Sequence, residues 1–208
     1  MDSWDVVDWR RRVADLYRDV RSASSPSDAH ARWVAGRAHL LRTHPASPVA
    51  VAARDAWAGP LVAPYDPALR FVVPVDRDVE PRRWDVRTGT DGVVPFELVG
   101  RVHLRDDTHD LGSLDVWWLG SYGGGIFLPV RDPAPGSYGG GRYLLDTVKG
   151  ADLGGDPDAL VVDLNFAYQP SCAYDPAWAC PLAGPGNRLA DPVAAGEQYV
   201  QVPEQPVG

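Results

Sequence analysis

Lysine is almost missing from this chain. Lys149 is the single lysine, arginine supplies every other cation, and 20 basic residues face 28 acidic ones. A surface that neutralises many phosphates needs clustered positive charge, so no nucleic-acid partner is expected. Long apolar runs are absent too, and none approaches the roughly twenty residues that cross a bilayer. The start, MDSWDVVDWRRR, has acids and tryptophans where a signal peptide needs a cationic end and an apolar core. These features lead to the expectation of a soluble, cytoplasmic protein with no membrane partner. Cysteine is limited to Cys172 and Cys180, at a spacing that fits no zinc signature, and no histidine follows His109. In a reducing compartment structural thiols are the first expectation, with a disulfide or a reactive or metal-binding role as the alternatives. No metal and no cofactor are expected, and the oligomeric state is not legible.

What is present opens as helix. Trp9, Val13, Leu16, Tyr17 and Val20 recur at helical spacing opposite a solvated face of Arg10, Arg11, Arg18 and Asp19. SSPSD then offers Ser25 as N-cap, Pro26 in the first turn and Asp28 as a capping-box acid for a second helix running to about Arg42. HPASPVAVAARDAWAG repeats the logic, with Ser47 as cap, Pro48 inside the start and Gly59 past the end of a third.

Beyond Gly59 the texture changes to short segments rich in Val, Phe, Trp and Leu: LRFVVPV, RRWDVRT, GVVPFELV, RVHLR, SLDVWWLG, IFLPV, RYLL and ALVVDLN. Turns such as GTDG between them, and no crossover helix, exclude a doubly wound sheet. The expected fold is mainly β with α+β character: a curved antiparallel sheet, sandwich or partly closed barrel preceded by two or three N-terminal helices. A single domain of 1–208 is expected, with helices in 1–59, strands in 60–165 and a proline-rich loop segment in 166–208.

The hexapeptide GSYGGG occurs at 120–125 and again at 136–141. Neither copy is followed by the Lys-Ser/Thr pair of a phosphate-binding loop, and both lead into strands rather than a helix, so neither reads as a nucleotide cradle. Both read as turns, and the second stands out because Arg142 follows it directly.

RDPAPGSYGGGRYLLD, then VVDLNFAYQPSCAYDPAWACPL, then NRLADPVAAGEQY resemble, in that order, the bacterial and archaeal family called domain of unknown function 1684. The earlier HPASPVAVAARDAWAGPLVAPYDPALRF is also similar to that family, so the resemblance spans about residues 30 to 200. It implies no established activity. Ala134 departs from the family's tendency to threonine, which removes a hydroxyl from any mechanism needing one there.

These segments are dense in polar groups: Arg131, Asp132, Tyr138, Arg142, Asp163, Asn165, Tyr168, Tyr174, Asn187, Arg188 and Glu197. Two expectations follow. In the first, a pocket without cofactor takes a small anionic metabolite as hydrolase, isomerase or cyclase. Arg142 and Arg131 would anchor the ligand, Asp163 or Glu197 would move a proton, and Tyr138, Tyr168 and Asn165 would orient it. In the second, a noncatalytic interaction module, the same groups tie the tail to the sheet, and an exposed Trp117-Trp118 pair or the helices meet a partner. Cys172 as nucleophile would need His103 or His109 to approach in space. RDDTHD, with Asp106, Asp107, His109 and Asp110, reads first as a solvated hairpin turn and second as a divalent-ion site.

Overall fold

The computed structural model describes residues 2–88, 92–107, 109–120 and 122–199. Most of the GTDG turn, Ser121 of the first hexapeptide and Val200 lie outside the described residues.

Two long helices come first, α1 (Ser3–Arg21) and α2 (Pro26–Thr43). Asp2 and Asp5 form a reciprocal capping box at the start of α1, which satisfies donors that an open helix end leaves unpaired. Ser25 caps α2 as expected, accepting from the Asp28 amide, but Asp28 accepts from the Ser24 hydroxyl instead of reaching back to the cap amide. Tyr17 and Val20 of α1 and Trp33, Leu40 and Leu41 of α2 are buried, and the Trp33 indole donates to the Tyr17 hydroxyl at 3.2 Å.

The third helix is much shorter than expected, α3 (Val51–Arg54), and Ser47 is not its cap. The Ser47 hydroxyl donates to Leu41 O at 2.6 Å and accepts from the Val49 amide at 3.1 Å, so it joins the loop to the end of α2. Arg54 then folds back to donate to the carbonyls of His44, Ser47 and Val49. Those contacts hold the segment as loop.

Ten strands follow: β1 (Leu61–Val62), β2 (Arg70–Val73), β3 (Val75–Asp76), β4 (Arg83–Thr88), β5 (Gly92–Arg105), β6 (Asp110–Leu119), β7 (Gly125–Val130), β8 (Arg142–Asp146), β9 (Leu160–Asp163) and β10 (Glu197–Gln198). All pairings between them are antiparallel. A six-stranded sheet runs β3-β5-β6-β7-β8 with β4 also on β5, and β2 pairs β9 while β1 pairs β10. The main sheet does not close on itself. GVVPFELV and RVHLR, expected as two strands, are one 14-residue strand with irregular register near Gly100. A Cβ at Gly100 would come within 2.4 Å of Val75 Cγ1 and 2.8 Å of Asp76 O, so glycine there lets β3 lie against β5.

The core runs between this sheet and the two long helices, through Phe96, Leu104, Leu114, Phe127, Leu128, Leu144 and Leu145 on the strands and Trp33 on α2. Trp117 belongs to it at 5 % exposure and donates to Asn187 Oδ1, so only Trp118 of the tryptophan pair is exposed. The strand alternation expected through Asn165 ends at Asp163, whose carboxylate caps a short 3-10 turn at Leu164–Phe166. The Asp106 amide donates to His109 O and the His109 amide to Asp106 Oδ1 between β5 and β6, matching the turn reading of RDDTHD.

Candidate functional site

The sequence-derived residues separate into three groups, because β8, β9 and the tail carry them to different places. Arg142, the first residue of β8, is enclosed at 0 % exposure. Its guanidinium donates to Asp132 at 2.7 Å and to the carbonyls of Val193, Ala195 and Glu197. Asp132 also accepts from Ser137 Oγ and from the amides of Ala134 and Val193. Gly141, at φ +89, allows this approach, since a Cβ there would stand 2.8 Å from Val130 O. Arg142 lines neither of the cavities described below. It binds the tail to the sheet instead of facing an accessible hollow. Arg131 contributes backbone, bridging to Arg188 and Leu189, and Asn187 spends its amide on Trp117, Asp115 O and Pro129 O.

The second group surrounds Asp163. Asn165 is buried and uses its whole amide locally: Nδ2 donates to Asp66 O and Asp163, and Oδ1 accepts from the Asp66 amide. Asp163 accepts as well from Asn165 N and, at 3.4 Å, from Tyr65 OH, with Arg70 at 3.8 Å. Burial raises its carboxyl above the usual range, against the pull of those donors. It lines an open cavity of about 430 Å³ together with Arg21, Ser24, Ser25, Arg70 and Phe166. The polar groups there are already engaged: Arg21 with Asp152 O, and Ser24 and Ser25 with Asp28.

The third group gathers where α1, α2, β8 and the tail meet. Glu197, buried at 0 % exposure, accepts from Arg37 through both oxygens, from the Gln169 amide at 2.6 Å and from Tyr174 OH at 3.0 Å. Four donors on two oxygens hold its carboxyl group in place. Arg37 lies 4.6 Å over the Tyr168 ring and adds a hydrogen bond to Gln169 O. Asp163 and Glu197, expected to share one hollow, stand in separate clusters.

Around this third group lies a cavity of about 80 Å³ lined by Tyr17, Trp33, Arg37, Tyr143, Asp146, Lys149, Tyr168, Gln169, Tyr174 and Cys180, among others. Burial pushes the hydroxyls of Tyr17, Tyr143, Tyr168 and Tyr174 well above the usual tyrosine range, so they remain protonated donors. Lys149 is half-exposed, so the cavity is not sealed, and its ammonium sits 3.2 Å from Asp146. Gln169 is 4 % exposed, yet its Oε1 has no hydrogen-bond partner among the described residues. Tyr138 stands apart, its ring against Tyr199 and its hydroxyl 3.9 Å from Cys172 Sγ; burial and the neighbouring thiol push it up to about 12.

Arg37, Asp146, Lys149 and Gln169 were not singled out from the sequence. One signal was there to find: Arg37 lies four residues after Trp33 and three before Leu40, inside the apolar stripe of α2, where an arginine requires a buried partner.

Residues 55–198, which carry all of β8, β9 and the tail cluster, match the family described as "Protein of unknown function (DUF1684)". The chain belongs to DUF1684. The match begins after α2, so Arg37, which completes the third cluster, lies outside the matched segment. An uncharacterised protein of Haloarcula marismortui, determined in solution by NMR, is similar to this DUF1684 chain. It shares 28 % identity with a TM-score of 0.55 over 82 % of this chain and 94 % of that one. No curated protein matches the chain. In the described residues no helix is long and apolar enough to cross a membrane.

Proposed function

We propose that this chain binds a small polar anion in the cavity between α1, α2, β8 and the tail. The observation that carries the reading is Gln169 Oε1, a buried acceptor without a donor, on the wall of a cavity that also presents Arg37, Lys149 and tyrosine hydroxyls. An unspent acceptor beside cations and hydroxyl donors fits a ligand that is itself both, a carboxylate carrying a hydroxyl or amino group. At about 80 Å³ the space lies well below that of a drug-sized site and suits a molecule of few heavy atoms. In this reading Glu197 orients Arg37 and does not move a proton. Arg131, Tyr138, Arg142 and Asn165 lie outside the ligand shell, and Tyr168 remains within it.

The alternative role, polar groups tying the tail to the sheet, is favoured for Arg142 alone, by its three carbonyl partners.

The test is a thermal-shift and NMR titration of the full chain with glycolate, glycine and acetate. A ligand at a hundred times its Kd stabilises by about 2.7 kcal/mol, or about 5–10 °C in a chain of this size. The expected result is a shift with glycolate or glycine that exceeds that with acetate and is reduced in Lys149→Met. Millimolar concentrations that move neither Tm nor the resonances of Gln169 and Tyr168 would overturn the proposal.

A further inference from the structure

Cys172 and Cys180, eight positions apart, come together beside the cavity. The Cys172 amide donates to Cys180 Sγ at 3.3 Å, which sets the Cys180 sulfur against the backbone of Cys172. Neither is sealed: both are half-buried, and Cys180 lines the cavity wall. Tyr143 approaches Cys180 from β8, its hydroxyl donating to the carbonyl of the adjacent Pro181 at 2.6 Å. Lys149 contributes a positive charge on the same cavity, with Asp146 as its partner, while Arg37 is paired with Glu197. On the other side, Tyr138 reaches Cys172 and not Cys180. Cys180 Sγ thus accepts from a backbone amide, while Cys172 Sγ faces a tyrosine hydroxyl.

We propose that Cys180 is a nucleophilic thiolate on the cavity wall, a site of modification by hydroperoxides, with Cys172 as the thiol that resolves the product to a disulfide. The asymmetry of the pair agrees. Hydrogen bonding from Cys172, the amide and Lys149 pull the Cys180 thiol down to about 6 against burial, while the Cys172 thiol is pushed up, first by its bond to Cys180 and then by burial. The thiolate attacks the outer oxygen of the hydroperoxide. An S–O bond forms as the O–O bond breaks, and the alcohol leaves after taking a proton from water. Cys172 sulfur then attacks the sulfenic sulfur, an S–S bond forms, and the hydroxyl departs as water with the Cys172 proton. The two sulfurs lose two electrons, and the hydroperoxide gains them. This chemistry stands whether or not the cavity holds the anion proposed above.

The experiment is pulse alkylation of the full chain with iodoacetamide from pH 4.5 to 9, read by peptide mass mapping. Cys180 labelling is expected to have a midpoint near 6, well below that of an ordinary thiol. At pH 5.5 it should react about tenfold or more faster than an ordinary thiol with a pKa of about 8.5, after allowance for the weaker nucleophilicity of a low-pKa thiolate. At pH 7 the advantage falls to a few-fold by the same arithmetic. Equimolar hydrogen peroxide should convert the chain to the Cys172–Cys180 disulfide, and in Cys172→Ser it should leave a sulfenic acid that dimedone traps. Lys149→Met, at a half-exposed side chain, should raise the midpoint without loss of fold. A midpoint at 8 or above, Cys172 labelled first, or two free thiols after peroxide would each overturn the proposal.

Discussion

Arg142 and Arg37 each meet a buried carboxylate, Asp132 in one case and Glu197 in the other, but their surroundings differ. Around Arg142 the further partners are tail carbonyls, and it lines neither of the two cavities described above; around Arg37 they are one carbonyl and an aromatic face, with a cavity alongside. Both regions also contain a polar atom with no hydrogen-bond partner among the described residues, Arg142 Nε in the first and Gln169 Oε1 in the second. Of the two residues, Gln169 lines a described cavity and Arg142 does not. A buried ion pair is therefore weak evidence of function until the space beside it is known.

The largest expected effect tests the first region. Asp132→Ala removes the one carboxylate that meets Arg142 among the described residues and strands an enclosed guanidinium, which costs about 3–5 kcal/mol. Glu197→Gln keeps the shape, and Arg37 retains the Gln169 carbonyl and the cavity beside it, so the loss is expected near 1.5–3 kcal/mol. Urea midpoints of the two variants give the comparison directly. Equal losses would erase the distinction between tie and site.

A smaller effect separates two glycines of one hexapeptide. Gly141→Ala puts a Cβ at positive φ against Val130 O and Ala183, whereas a Cβ at Gly139 meets nothing within 4 Å. The first is expected to lose roughly 1–3 kcal/mol and the second to change within about 0.5 kcal/mol, as read from denaturant curves. If Gly139→Ala matched Gly141→Ala, the close approach beside Arg142 would not be what selects glycine there.

The smallest effect depends on pH. His30 is buried against Trp33, Tyr65 and Phe166 with Nε2 3.1 Å from Asn165 O, and burial lowers its pKa below 6.5. A depressed histidine pKa favours the folded state above the unfolded value, and that contribution is lost as pH falls through the folded one. Melting temperature should therefore fall on acidification from about pH 6.5, and less so in His30→Gln. Asp163, with its carboxyl raised, acts in the opposite sense: its contribution is present below 3.8 and is lost as pH rises through its folded pKa. A wild-type slope identical to that of His30→Gln would show that folding does not lower the His30 pKa.

Much of the local structure was legible because its causes are short-range. Ser25 and Pro26 mark the start of α2, the apolar spacing of Tyr17 and Val20 marks the buried face of α1, and short Val- and Trp-rich segments mark an antiparallel sheet. Where distant groups compete, the local signal failed. Ser47 looks like a cap but is taken by Leu41 O, and Trp117 looks exposed beside Trp118 until Asn187, 70 residues away, accepts its indole. The density of polar residues in the tail was evident as well, but their sorting into a tie, a capped turn and a cavity wall was not.

From the sequence alone came the element types, the family and a set of candidate polar residues, since caps, periodicity and motifs act over a few positions. The tertiary structure decided which of those residues meet. Arg37 and Glu197 lie 160 residues apart, and only the packing of α2 on β8 and the tail brings them together beside Gln169 and Cys180. The free energy of such a pair depends on burial and on the remaining partners, and no spacing along the chain encodes either.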